Sequence, residues 1–310
     1  MADLRQRALL FSKGVAMGAA DVVPGVSGGT IAFMTGIYEE LLSSIKSIGP
    51  GAVKILFTQG PKAFWRAING DFLLVLVVGI ATSIVSLAKV ITYLLDAYPT
   101  MLWSFFFGLI LISSLYMARQ IGKWGVGNTV SIIVGATTAY IITIVSPAEI
   151  IATPGALFVA GSIAICAMIL PGISGSFILL LMGMYSHVIG AIKALDMEVL
   201  AIFAAGCVTG LLVFSRFLSW LLSRYHEMTM ALLTGFMLGS LNKVWPWKQT
   251  LTWRINSHGE QVPLTQNNVS PFQYADITGL EHQLFSCLGL AMLAVMLVLS
   301  VELIAKRKQQ

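Results

Sequence analysis

Two short runs in this chain set a hydroxyl among glycines directly after a proline. The first is Pro24-Gly25-Val26-Ser27-Gly28-Gly29-Thr30 and the second Pro171-Gly172-Ile173-Ser174-Gly175-Ser176. Each breaks the middle of an otherwise apolar region, 8–45 and 155–192. Proline-glycine stops an incoming helix, and Ser-Gly is suited to start the next one. The start of a helix presents unpaired N–H groups and the positive end of its dipole. Glycine lets a ligand approach the backbone closely, and Ser or Thr adds a hydroxyl donor. Such a tip receives an anion, a phosphate above all. The candidate ligands are Ser27, Gly28, Gly29 and Thr30 with Ser174, Gly175 and Ser176. The competing reading of each tip is tight packing through small residues, as is common between membrane helices.

Four charged residues are candidates to act with these tips. Lys89 and Arg216 fall inside long apolar runs, where a cation is costly and is a functional candidate by default. A cation pair suits an anionic substrate, and Arg suits phosphate better than Lys; snorkelling to the interface is the alternative. Asp21 precedes the first tip and has Met168 as its counterpart at the second. It is a candidate carrier of a coupling proton or sodium ion, or else a partner for a cation or a cap for backbone N–H groups. Glu39 is a second coupling candidate, near an aqueous vestibule. No resident cofactor is expected. Cys166, Cys207 and Cys287 are far apart in apolar runs, with no metal spacing, and read as packing residues.

The elements that must position these groups follow from composition. Of 310 residues, 57% are hydrophobic and 11% charged, under half the ~25% charge of a soluble domain. Mean hydropathy is +0.84. Soluble enzymes, nucleic-acid binders and disulfide scaffolds are disfavoured together, leaving an all-α polytopic membrane protein. Beyond the two broken regions, spans are expected at roughly 71–96, 99–118, 126–146, 197–223, 228–241 and 283–304, the fifth being the shortest. The segment 46–70 reads as an interfacial helix or loop. The polar stretch 242–282, with Trp245, Trp247 and Trp253, reads as an outside connector lying partly on the interface with an aromatic belt.

The broken regions resemble each other. Residues 24–46 and 171–193 align without gaps with 9 of 23 positions identical. The likeness continues downstream through Gly79/Gly206, Lys89/Arg216, Tyr98/Tyr225 and Gly108/Gly235. The chain therefore reads as two repeats, 1–150 and 151–310. If each broken region is a re-entrant hairpin, each half adds three full spans. Three is odd, so the second half enters the membrane upside down, an inverted-topology repeat typical of secondary transporters. With the N-terminus in the cytoplasm, 13 of the 19 Lys and Arg residues fall inside and four (Lys193, Lys243, Lys248 and Arg254) outside, which favours both termini cytoplasmic.

Gly25-Val26-Ser27-Gly28 and Gly172-Ile173-Ser174-Gly175 also resemble the GxSG nucleophile motif of rhomboid intramembrane proteases. A serine nucleophile needs a base within reach, and His187, His226, His258 and His282 are all expected near interfaces or in loops. An enzyme is not expected. A transporter of a small soluble anion and a non-transporting envelope scaffold remain open on the residues alone.

The segments GAADVVPGVSGGTIAFMTGIYEELLSSI and SIAICAMILPGISGSFILLLMGMY resemble the bacterial polyprenyl-phosphate (undecaprenyl phosphate) transporter family over nearly the whole chain. The resemblance implies a flippase in the bacterial cytoplasmic membrane. It would return undecaprenyl phosphate, or a related polyprenyl phosphate, from the outer to the inner leaflet by alternating access. The implied partners are that lipid and the surrounding membrane lipids, with no nucleic acid.

Overall fold

A chain with this little polar surface must satisfy its backbone within helices, and prolines mark where many of them begin. The computed structural model describes residues 2–23, 26–145, 147, 150–255 and 261–306. The first half supplies α1 (Ala2–Val22), α2 (Gly28–Met34), α3 (Tyr38–Ser47), α4 (Pro50–Gln59), α5 (Pro61–Ala67), α6 (Gly70–Ala97), α7 (Pro99–Gln120) and α8 (Val126–Ile144). The second supplies α9 (Pro154–Ile169), α10 (Gly175–Leu181), α11 (Tyr185–Ala194), α12 (Met197–Arg224) and α13 (His226–Ser240). It continues through β1 (Lys248–Ile255), β2 (Gln261–Asn268), α14 (Pro271–Thr278) and α15 (Leu284–Lys306). Proline occupies the first turn of α4, α5, α7, α9 and α14, where its missing N–H costs nothing. The Thr153 hydroxyl caps α9 and the Asp196 carboxylate caps α12.

Four helices, α6, α7, α8 and α12, are long and apolar enough to cross a membrane, and a fifth span is counted if α10 and α11 are taken as one broken crossing. The six expected spans are thus not all met by length. α13 has 15 residues and stops at Leu241, where the chain turns to build the β-hairpin. The spans expose many large apolar side chains, Val77, Val85, Ile133, Val213 and Phe217 among them. That is the surface of a helix bundle whose solvent is hydrocarbon.

The main helix pairs are α1 with α6, α9 with α12, α8 with α13 and α7 with α15. Glycine sets each of these approaches. A Cβ at Gly14 would stand 2.5 Å from the Leu76 carbonyl, and one at Gly79 2.5 Å from that of Phe11. The equivalent Gly161 would meet the Phe203 carbonyl at 2.5 Å, and Gly206 sits against that of Phe158. Gly108 packs on Ala291, and its counterpart Gly235 on Ile132. Without a hydrophobic driving force between lipid-immersed helices, close backbone contact supplies the attraction. α7 and α13 also touch each other at the centre.

The segment 46–70 contains two short helices, α4 and α5, with Phe57 82% exposed. The stretch 242–282 departs from the expected belt. It folds into the antiparallel β1–β2 hairpin and α14, and two of its tryptophans point inward. Trp245 Nε1 donates to the Val269 carbonyl at 2.9 Å and Trp247 Nε1 to that of His282 at 2.8 Å. Trp245 also stacks edge-on against Phe107 of α7 at 5.5 Å. Their N–H groups need partners once the rings are buried, so the rings clamp the loop onto the helices; only Trp253 stays exposed.

Candidate functional site

Both broken regions reach the middle of the bundle, and there the two tips meet. Pro24 and Gly25 lie outside the described residues, so the stop of α1 is seen only at Val22 and Val23. From Ser27 onward the first tip behaves as a helix start. The Ser27 hydroxyl accepts from the Gly29 N–H at 3.1 Å and donates to the Met168 carbonyl at 3.0 Å. Thr30 Oγ1 accepts from the Gly172 N–H at 2.8 Å. Gly29 lies flat against the second tip: a Cβ there would stand 2.5 Å from the Ile169 carbonyl. Gly172 has φ +86, and a Cβ there would stand 2.8 Å from the Phe236 carbonyl, which explains why only glycine serves there.

The sequence reading of an anion-receiving first tip is modified by Asp21. Its carboxylate accepts from the Gly28 N–H at 2.7 Å, so the positive end of α2 already holds a fixed negative charge. Capping, one of the roles weighed for Asp21, is the contact the structure contains. Ser27, Gly28, Gly29 and Thr30 are all buried, and their polar groups are used within the protein.

The second tip has the same motif and a different environment. Met168 stands where Asp21 does, so no carboxylate faces Gly175. Ser174 makes no side-chain cap bond; its hydroxyl pairs with that of Ser176 at 2.9 Å. Ser174 is buried, whereas Ser176 is exposed. Each ascending helix is also broken a second time, a feature the sequence reading did not foresee. Gly36 and Gly183 take φ +72 and +71 and end α2 and α10, and α10 meets α11 at 108°.

Of the candidate charges, only Asp21 is at a tip. Arg216 donates from Nη1 to the Leu212 carbonyl at 2.7 Å and from Nη2 to the Ile48 carbonyl at 3.0 Å. The guanidinium thus ties α12 to the end of α3. At the other end of α3, Glu39 Oε1 and His226 Nε2 stand 2.9 Å apart and exposed. Lys89, the counterpart of Arg216, is exposed and has no partner among the described residues. α3 packs along α12, but α11 makes no comparable packing on α6.

Of two lysines that sequence reasoning left as outside loop charges, Lys243 lies close to the second tip and Lys248 lies next to Lys243. Lys243 Nζ sits 4.2 Å from the centroid of Phe177, the residue after Ser176. Lys248 Nζ sits 4.4 Å from that of Trp103 on α7 and donates to the Lys243 carbonyl. Only the spacing of two lysines around Trp245 and Trp247 hinted at this placement.

Chemically, the arrangement is a polar centre with one tip closed by its own carboxylate and one tip with an exposed hydroxyl and cations near it. No histidine stands within hydrogen-bond reach of Ser27 or Ser174 among the described residues, so the rhomboid-like motif has no base there. The same residues contain no cluster of metal-ligating side chains.

Residues 17–262 match the family model described as undecaprenyl phosphate translocase-like. The chain is 54% identical over 297 residues to a polyprenyl-phosphate transporter of Vibrio cholerae, covering 96% of each chain. It is 34% identical over 255 residues to a polyprenyl-phosphate transporter of Staphylococcus aureus, covering 76% of this chain and 84% of that one. No solved structure matches it.

Proposed function

This chain belongs to the undecaprenyl phosphate translocase-like family, and on that premise we propose that it carries undecaprenyl phosphate, or a related polyprenyl phosphate, across the bacterial cytoplasmic membrane from the outer to the inner leaflet. The single observation that carries the mechanism is the inequality of the two tips. The first is sealed by Asp21 and buried; the second offers an exposed Ser176 and no fixed anion. A phosphate headgroup would sit at Ser174, Gly175 and Ser176, while Ser27, Gly29 and Thr30 brace that tip from behind. The prenyl tail stays in lipid.

The paired glycines, the equal helix lengths of α6 and α12 and the matching tips support an inverted repeat of 1–150 and 151–310. Such repeats expose a central site alternately to each side. With both termini cytoplasmic, as the Lys and Arg distribution favours, the first tip belongs to the cytoplasmic side. That side is closed by α3 on α12, by Arg216 on Ile48 and by Glu39 beside His226. The outer side lacks the equivalent packing of α11 on α6. This is the pattern of an outward-facing state. Rocking would release Arg216 from Ile48 and bring Lys89 toward Leu195, the residue equivalent to Ile48. Released Arg216 then offsets the headgroup charge as it leaves toward the inner leaflet. Asp21 and Glu39 are the groups through which protons or sodium ions would couple.

A leaflet-resolved assay in proteoliposomes tests this. Undecaprenyl phosphate placed in one leaflet should equilibrate faster with protein than without it, and equal rates would reject the function. If inorganic phosphate is transported instead, the soluble-anion reading replaces it.

A further inference from the structure

Two partly buried ammonium groups without a counter-anion need explaining. Among the described residues neither Lys243 nor Lys248 meets a carboxylate; their contacts are the faces of Phe177 and Trp103 and one backbone carbonyl. Burial pushes the Lys243 ammonium down to about 8. Burial, with the Lys243 charge beside it, pushes Lys248 down to about 7. Two like charges held together at this cost mark a place where negative charge is to arrive.

Their position fixes which place. Lys243 follows α13 and lies over Phe177 on α10, one residue beyond the exposed Ser176 hydroxyl. Lys248 begins β1 and lies over Trp103 on α7. The loop is held there by Trp245 and Trp247 and by Asn268, whose Nδ2 donates to the Asn242 carbonyl at 2.8 Å. The segment from α13 into β1 thus lays one cation on the second tip's helix and the next on an element of the first half. Arg216, the cation that sequence favoured for this task, is bound to Ile48 on the other side.

We propose that Lys243 and Lys248 form a capture site for a phosphate monoester or orthophosphate dianion at the outer mouth, from which the anion passes to Ser176. This rests on the proposed headgroup site at the second tip. The cations draw the phosphate out of the interfacial region, and the aromatic faces hold the ammonium groups in place while the site is empty. An incoming dianion replaces the missing counter-charge, restores both lysines to full protonation and forms charge-assisted hydrogen bonds with them. The loop, rather than serving as a connector, is then the element that selects a charged lipid over its neutral alcohol.

The test uses the whole protein in nanodiscs with radiolabelled undecaprenyl phosphate, undecaprenol and inorganic phosphate as separate probes. Lys243→Gln with Lys248→Gln should weaken undecaprenyl phosphate binding about tenfold or more, flatten its dependence on salt and leave undecaprenol unaffected. Lys243→Arg with Lys248→Arg should recover most of the affinity. Saturable inorganic phosphate binding that the glutamine pair abolishes would keep the lysine site while replacing the lipid source by a soluble one. Unchanged lipid binding in a glutamine pair that still transports would overturn the capture site and leave the transport function standing. Equal weakening of phosphate and alcohol would also overturn it, because a mere loop clamp does not read charge.

Discussion

The two hairpin tips share a PGxSG motif and an ascending helix of the same length, yet they have been put to different uses. At the first, Asp21 accepts from the Gly28 N–H at 2.7 Å, and Ser27 and Thr30 spend their hydroxyls on the second hairpin. At the second, Met168 leaves the equivalent position uncharged, Ser176 is exposed, and Lys243 lies over Phe177. The two tips share a backbone device, and single side chains give them different environments. A symmetric motif therefore does not imply a symmetric site in any one conformation.

Copying the first tip onto the second gives the largest expected effect. Met168→Asp places a carboxylate beside Gly175, whose Cβ would lie 3.4 Å from that of Met168. It should lower affinity for undecaprenyl phosphate about tenfold or more, ~1.4 kcal/mol at least, measured by lipid binding in nanodiscs; unaltered affinity would remove the second tip from the headgroup site.

The reverse change acts on stability. Asp21→Ala leaves the Gly28 N–H without its acceptor, which costs about 1–3 kcal/mol when the group is buried. Thermal unfolding in detergent should shift down by several degrees, and Asp21→Asn, with an amide oxygen still available, should recover most of it. A normal melting temperature with abolished transport would assign Asp21 to ion coupling instead of capping.

Serine substitutions separate the tips more finely. Ser176→Ala should weaken headgroup binding about threefold, within the ~0.5–1.5 kcal/mol of one hydrogen bond, with no change in melting temperature. Ser27→Ala should do the opposite, lowering the melting temperature through loss of the Gly29 and Met168 contacts. The same response from both would erase the distinction. The smallest effect is expected at the closed side. Glu39 and His226 are exposed, and such a pair contributes about 0–1 kcal/mol. Glu39→Gln should raise hydrogen exchange in α3 by up to about fivefold, and the absence of any rise would leave Arg216 and helix packing as the whole of the closure.

Much of this was legible in the residues. Alternating apolar runs and punctuating prolines announced the spans, because a helix interior has no place for proline and the bilayer none for loops. The likeness of the two halves was readable in pairs such as Gly79/Gly206 and Gly108/Gly235, and these glycines lie at helix contacts where nothing larger fits. The tips were readable from proline, glycine and hydroxyl in order. The destination of the long side chains was not. Arg216 was expected at the ligand and is found on the Ile48 carbonyl; Lys243 and Lys248 were assigned to a connector and are found over Phe177 and Trp103. Trp245 and Trp247 were expected at the interface and turn inward.

Local pattern, then, determined most of the helices, the Pro-Gly breaks and the twin motif, since these depend on backbone groups and neighbours within a turn or two. Tertiary structure alone decided which tip is closed, where the cations come to rest and what the loop covers. A long charged or aromatic side chain can reach several partners, and which one it meets depends on segments distant in the chain.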